Sequence, residues 1–340
     1  MTLLSLLFAL LIEQVRPLKD SNWAQSASAR LAQWLGHHLD VGQSHHARLI
    51  WCLSVGAPAL AVLTLHWILW WSLGWIAAMI WSVLVLYATL GFRQFSHHFT
   101  EIRDALEAGD EALARQKLAL WQRADTADLS KPEIIRLSIE YSVLAAQQHV
   151  FGVLFWFSLF ASVGLGPTGA VVYRMGHLLA RMWPEHAPDP DANSALKPLA
   201  LGLLPQDLGR DEHFDHDWVS ESLREWSHSG WRRLDWLSSR ATALSFAVVG
   251  NFEDAIESWR VRTALDPDDN DGVVVAATAG ALGLRLGGAA WVQANEASLD
   301  SVTGQEPQLH HLKSVVGLVW RTVVMWFVLL TLLSLARLLG

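Results

Sequence analysis

From Leu49 to Tyr87 the chain carries no Asp, Glu, Lys or Arg: LIWCLSVGAPALAVLTLHWILWW runs straight into SLGWIAAMIWSVLVLY. At about 1.5 Å per helical residue, this run is roughly twice the ~30 Å thickness of a bilayer's hydrocarbon core. A hairpin of two membrane-crossing helices, about 49–69 and 72–91, accounts for its length. Trp70, Trp71 and Gly74 mark the turn, and Arg48 and Arg93 hold the open ends in water. A third run, 150–173, has no charged residue, and a fourth, 322–336, lies between Arg321 and Arg337. Both arginines can snorkel, which lets that span extend to about 317–337.

Composition agrees. Charged residues are 17% of the 340 and hydrophobic residues 52%, against about 25% charged in soluble domains. Disorder is excluded, because it needs low hydrophobicity and high charge. Nineteen Trp against three Tyr suits a chain with long membrane–water boundaries. A net charge of −8 gives no footing for nucleic acid, and the single cysteine, Cys52, excludes a disulfide framework or a cysteine zinc site. The reading is an integral membrane protein whose first partner is the lipid bilayer. Nothing in the sequence sets an oligomeric state.

The remaining segments are helical in pattern. MTLLSLLFALLI stops at Glu13, too short for a full crossing, and reads as a partial span over about 2–14. It has neither the basic n-region nor the cleavage site of a signal peptide. Residues 93–148 place Phe95, Phe99, Ile102 and Leu106 at helical spacing, break at Gly109, and restart near Pro132 with Ile135, Ile139 and Val143 on one face. This is expected to be a small helical insertion on the membrane surface. Residues 183–235 form a polar loop region. WLSSRATALSFAVVG (236–250) and VVVAATAGALGLRLGG (273–288) are short and rich in small residues, as re-entrant, surface or closely packed bundle helices are. No alternating β pattern is present. The expected fold is all-α: one polytopic membrane domain over 1–340, with four or five spans plus short re-entrant or surface helices. Lys and Arg counts place the 93–148 side in the cytoplasm.

Four groups of residues could carry chemistry. Gly164-Leu165-Gly166-Pro167-Thr168-Gly169 matches GxGxxG, but inside an apolar run it reads as a helix break, with Gly166 and Gly169 as ligand-lining candidates. Asp211, His213 and Asp217 belong to a dense run of carboxylates and imidazoles that reads first as a solvated helix start and second as a site suited to a divalent metal. Asp266-Pro267-Asp268-Asp269-Asn270-Asp271-Gly272 fails as an EF-hand, since the twelfth position is Ala277. It remains a carboxylate turn able to hold magnesium. Ionisable residues in or beside spans are functional candidates by default: His66 within the hairpin, and His149 and His177 flanking the third run.

The blocks MTLLSLLFALLIEQVRPL, FGVLFWFSLF…GPTGAVVYRMGHLL, RLDWLSSRATALSFAVVG and AGALGLRLGG together resemble the CobD/CbiB–AmpE superfamily of bacterial inner-membrane proteins. The order and spacing of the blocks cover most of the chain. AGALGLRLGG is most similar to the CobD/CbiB branch. The opening, the LFWF…GPTG block and SVVGLVWRTVVMWFVLL are more similar to AmpE. The CobD/CbiB branch implies adenosylcobinamide-phosphate synthase, which joins an aminopropanol derivative to adenosylcobyric acid using ATP and magnesium.

Matched to the family's blocks, Glu140 is kept while a second Glu and an Asn become Leu144 and Ala145. A further Asp is lost from His177–Met182, and paired Asp residues fall at Trp231 and Arg232. Arg240 matches, and a last block is reduced to Asn270-Asp271-Gly272, with Val275 in place of its Glu. A synthase-like site would therefore rest on Glu140, Arg240, Asn270 and Asp271, with magnesium and ATP; otherwise no cofactor is expected. These losses lead us to expect a divergent, AmpE-like, non-synthase member acting in membrane-linked sensing or regulation. The synthase is the alternative, and a transporter-like binder a third reading. A corrinoid or a cell-wall-derived small molecule is the expected ligand class.

Overall fold

The computed structural model describes residues 2–15, 23–122, 126, 129–183, 219–287 and 304–339. Asp211, His213, Asp217 and most of the 183–235 polar region lie outside the described residues. The helices are α1 (Thr2–Val15), α2 (Trp23–Leu39), α3 (Ser44–Leu73), α4 (Trp75–Thr89), α5 (Phe92–Glu107), α6 (Glu111–Gln122) and α7 (Lys131–Ala146). A π-helical turn (Gln147–Phe151) leads into α8 (Gly152–Ser162), followed by α9 (Thr168–Met182), α10 (Glu221–Val249), α11 (Phe252–Leu265), α12 (Asn270–Leu282) and α13 (Leu309–Leu339). The described residues contain no strand, only one isolated bridge between Leu284 and Gln305. The protein is an all-α membrane protein. Three helical runs are long and apolar enough to cross a bilayer: Ser44–Leu73, Lys131–Ser162 and Leu309–Ala336. α1 and α4 contribute shorter apolar helices.

The chain divides into two compact units. The first comprises Met1–Arg93, Gln148–Ala192 and Leu204–Asp235. In it α3 and α4 pack side by side, joined through Gly74 alone at φ +82°, a left-handed conformation that costs glycine least. The indole of Trp81 donates to the Val62 carbonyl at 3.3 Å, tying the two helices. α3 also packs on α9, and Ile50, Val55, Met175, Leu179 and Leu223 form the centre of the core. The outer face is apolar too: Leu60, Ile68 and Trp71 are 61, 60 and 79% exposed. Such a surface is at home in lipid and out of place in water.

The apolar run 150–173 is not one span. α8 ends at Ser162 and α9 begins at Thr168, because Gly164 and Gly166 take left-handed φ of +83° and +57° and Pro167 has no N–H to continue a helix. The long helix here starts earlier, at Lys131, and 72% of its apolar window is buried, against 28% for α3 and α13. It is an interior helix, while the other two keep lipid-facing sides.

The second unit comprises Gln94–Gln147, Asn193–Leu203 and Trp236–Gly340. α11 and α12 form its tightest pair. Asn251 caps α11 through the Asp254 N–H, and Asp269 caps α12 through the Gly272 N–H, each satisfying a donor the helix itself leaves orphaned. From Gly272 to Ala281 every residue of α12 is buried. Its small side chains permit this approach, and a Cβ on Gly280 would meet the Asp254 and Ala255 backbone. α12 and α13 both pack on α7.

Candidate functional site

In the second unit the site grows from α7. Glu133 accepts hydrogen bonds from the Ser130 N–H (2.9 Å) and hydroxyl (2.7 Å), setting the helix start. Two turns on, Glu140 is wholly buried. Its Oε1 accepts from the Arg136 guanidinium at 3.2 Å and from the Gly287 N–H at 2.7 Å, while Oε2 is buried without a partner. The Gly287 end belongs to AGALGLRLGG. α12 stops where Gly283 turns left-handed at φ +65°. The chain then pairs with a second segment through Arg285 N–H to Gln305 O (2.9 Å) and Gln305 N–H to Gly283 O (2.8 Å). Glu140 thus clamps this loop onto α7.

Arg240, on α10, organises the acidic turn. Its guanidinium donates to Asn270 Oδ1 (2.7 Å), to the Pro267 carbonyl (2.9 Å) and to the Trp236 carbonyl (3.1 Å), and lies 4.3 Å from the Trp236 ring centre. Asp269 is paired with Arg262 through one oxygen and caps α12 through the other. Asp266 accepts from the Asp268 N–H. Asp271 stands in the first turn of α12. Among the described residues no group of three or more His, Cys, Asp or Glu side chains could hold a metal ion. Asp269, Asn270 and the Pro267 carbonyl are instead spent on two arginines and on a helix cap, so the turn's acids do not gather into a magnesium cradle. Of the four residues expected to be catalytic, Arg240 and Asn270 are brought together, while the contacts of Glu140 run to Arg136 and Gly287.

In the first unit the π-turn carries His149. Arg174 Nη1 lies 2.8 Å from its Nδ1; arginine only donates, so Nδ1 accepts and the imidazole proton sits on Nε2, which is buried without a partner. His177 meets the His149 ring edge-on at 5.7 Å and lies 4.8 Å from the ring of Trp231. Burial first, then the charges of Arg181 and Arg174 and the nearby His149, hold the His177 pKa well below the usual imidazole value. Burial likewise lowers that of Arg174 to about 10, against the pull of Tyr173 and Glu13. Tyr173 donates to Asp235 at 2.7 Å, and its ring fills the space where a Cβ on Gly152 would stand. His149 and His177 therefore share one place. Gly166 packs instead against the His66 ring, and Gly169 against the Trp156 backbone.

Arg136, Gly287, Arg174, Tyr173 and Asp235 were missed by the sequence reading. Only Arg174 had a local signal, a lone charge inside AVVYRMGHLL.

A family model described as CobD/Cbib protein matches residues 4–187. The cobalamin biosynthesis protein CobD of Stutzerimonas stutzeri is 29% identical over 313 residues, covering 89% of this chain and 88% of its own. The protein of that name from Chromobacterium violaceum is 29% identical over 248 residues, covering 72% and 68%. That from Synechocystis is 30% identical over 236 residues, covering 67% and 59%. No solved structure matches significantly. These relatives overturn the expectation of an AmpE-like sensing or regulatory protein, because they are named for biosynthesis and the first of them matches almost end to end. That expectation scored each lost carboxylate as a lost function. It set these losses above the retained Glu140, Arg240 and Asn270, which tie down the family's most similar block and the acidic turn.

Proposed function

The chain belongs to the CobD/CbiB protein family, and from that premise we propose that it is a membrane enzyme of cobalamin biosynthesis, forming an amide as adenosylcobinamide-phosphate synthase. The observation that carries this reading is the match over 89% of the chain to a protein named for that pathway. In this chemistry ATP phosphorylates the corrinoid carboxylate, releasing ADP, and the amine of an aminopropanol derivative displaces phosphate to leave the amide. Magnesium would supply charge neutralisation on the phosphates. The described acids do not gather to hold it, and no step is routed through the ion.

The chain's own contribution is positional. Arg240 keeps a partly exposed guanidinium at fixed geometry beside Asn270, a fork suited to an anionic group. Glu140 holds the loop that follows α12. The enzyme works in the inner membrane of a bacterium as a multi-pass protein, where the corrinoid is its ligand.

Complementation tests the proposal. A bacterial strain lacking its own synthase, supplied with a corrinoid acid and made to depend on cobalamin, is expected to grow when it carries this gene. Arg240→Ala is expected to abolish that growth while the protein still reaches the membrane fraction. Absence of growth with wild-type protein present in the membrane would overturn the assignment.

A further inference from the structure

In the first unit α1, α3, α4, α8 and the loop after α8 enclose a cavity of about 370 Å3. This falls in the ~300–1,000 Å3 range of small-molecule sites and, at ~30 Å3 per atom, holds about a dozen non-hydrogen atoms. Its walls are mostly apolar: Trp67, Trp70, Met79, Phe157 and Ala161 among them. Ser82 lines it, but its hydroxyl is bound to the Ala78 carbonyl at 2.9 Å. Among the described residues, the one ionisable lining side chain is His66. Its ring lies against Gly166, where a Cβ would stand 2.7 Å from the ring. Its Nδ1 is buried with no hydrogen-bond partner. A buried polar atom without a partner is uncommon enough to ask what supplies one.

The lining narrows the answer. A phosphate or carboxylate head would need several cationic donors, and one imidazole does not provide them. A corrinoid has far more atoms than the space holds. The setting points to lipid: α3 is a bilayer-crossing helix, and the α3–α4 turn beside the cavity is rimmed by Trp71 and Trp75, 79 and 49% exposed, as in the aromatic belt at a membrane surface.

We infer that this cavity takes the ester end of one acyl chain of a bilayer phospholipid, roughly its first dozen atoms, with the His66 Nδ1–H donating to the ester carbonyl and the rest of the chain continuing into the bilayer. The glycines of the GLGPTG break serve this site by letting the loop close against the imidazole.

The test uses the full chain reconstituted in phosphatidylethanolamine–phosphatidylglycerol vesicles containing a phosphatidylcholine with a diazirine on one acyl chain. After irradiation, adducts are mapped by peptide mass spectrometry. The expected result is saturable labelling of 66–82 and 157–166, competed by unlabelled lipid and lost in Ala161→Phe. Labelling of the exposed face of α13 at Leu329 and Leu332 should stay non-saturable in both proteins, which also reports correct insertion. If Ala161→Phe fails to insert, saturation in the wild type decides alone. Cavity labelling that rises linearly like that of α13, or that survives in an inserted Ala161→Phe, overturns the proposal. So does native mass spectrometry that finds a non-lipid molecule retained in place of phospholipid.

Discussion

Replacing Glu140 with alanine removes three things at once: the charge that faces Arg136, the acceptor for the Gly287 N–H, and the side-chain volume at a fully buried position. Breaking a buried ion pair by deleting one partner costs about 3–5 kcal/mol. Arg136 is 17% exposed and can recover some hydration, so the lower end, about 3 kcal/mol, is the appropriate figure. For a unit of this size a loss of 1 kcal/mol lowers Tm by about 2–4 °C, giving a drop of about 6–12 °C. Glu140→Gln keeps an oxygen for Gly287 and loses only the charge, a cost of about 1–2 kcal/mol. Arg136→Met combined with Glu140→Met replaces the pair with apolar volume and should recover most of the loss, short of the Gly287 bond.

The assay is differential scanning fluorimetry of detergent-purified protein, with complementation run in parallel. Because Glu140 acts by holding a loop, activity should follow stability, with the glutamine variant ahead of the alanine variant in both. An alanine variant melting within about 2 °C of wild type, or a glutamine variant that is stable and inactive, would refute the clamp and make the carboxylate a participant in chemistry.

Three further outcomes are expected. Arg240→Lys keeps the charge but cannot span Asn270 and Pro267 together, so complementation should fall well below wild type while thermal stability drops by no more than about 1–2 kcal/mol. Gly152→Val forces the Tyr173 ring away from its bond to Asp235, and should cost about 1–3 kcal/mol by overpacking, read as a fall in Tm that Tyr173→Ala partly restores. The folded protein holds His177 neutral. Its contribution to stability is therefore complete above the unfolded imidazole value of about 6.5 and is lost as the pH falls below it. Melting curves from pH 7.5 to 5 should show a decline that His177→Gln makes shallower; an equal slope in both proteins would argue against the buried neutral imidazole.

The helix–Gly74–helix arrangement was legible because its signals are local. A run from Leu49 to Tyr87 without formal charge and a single glycine after paired tryptophans point to two helices meeting at Gly74, although α4, Trp75–Thr89, is shorter than the crossing expected there. The glycines of GLGPTG likewise read as a break, although the apolar run containing them has the length of one span, since apolarity counts length and not helix ends. What stayed hidden was pairing at a distance. Periodicity marks α7 as a helix with Ile135, Ile139 and Val143 on one face, but not that it is buried on every side from Leu137 to Ala146, that Glu140 meets Gly287, 147 positions away, or that Tyr173 reaches Asp235, 62 positions on. Arg240 and Asn270 were singled out separately by resemblance; only the packing of α10 over the acidic turn makes them one unit. The functional error had the same root, since a substituted acid was counted without knowing what the retained residues hold in place.

Between Gly272 and Ala281, α12 carries no side chain larger than valine, and it is buried along that whole length. Long side chains elsewhere can swing to a new rotamer when a neighbour grows; here there is nothing to swing. The stretch should therefore accept change in one direction only. Valine to alanine will be survivable, alanine to leucine will not, and natural variation along α12 should drift toward smaller residues even where the surrounding helices diverge freely.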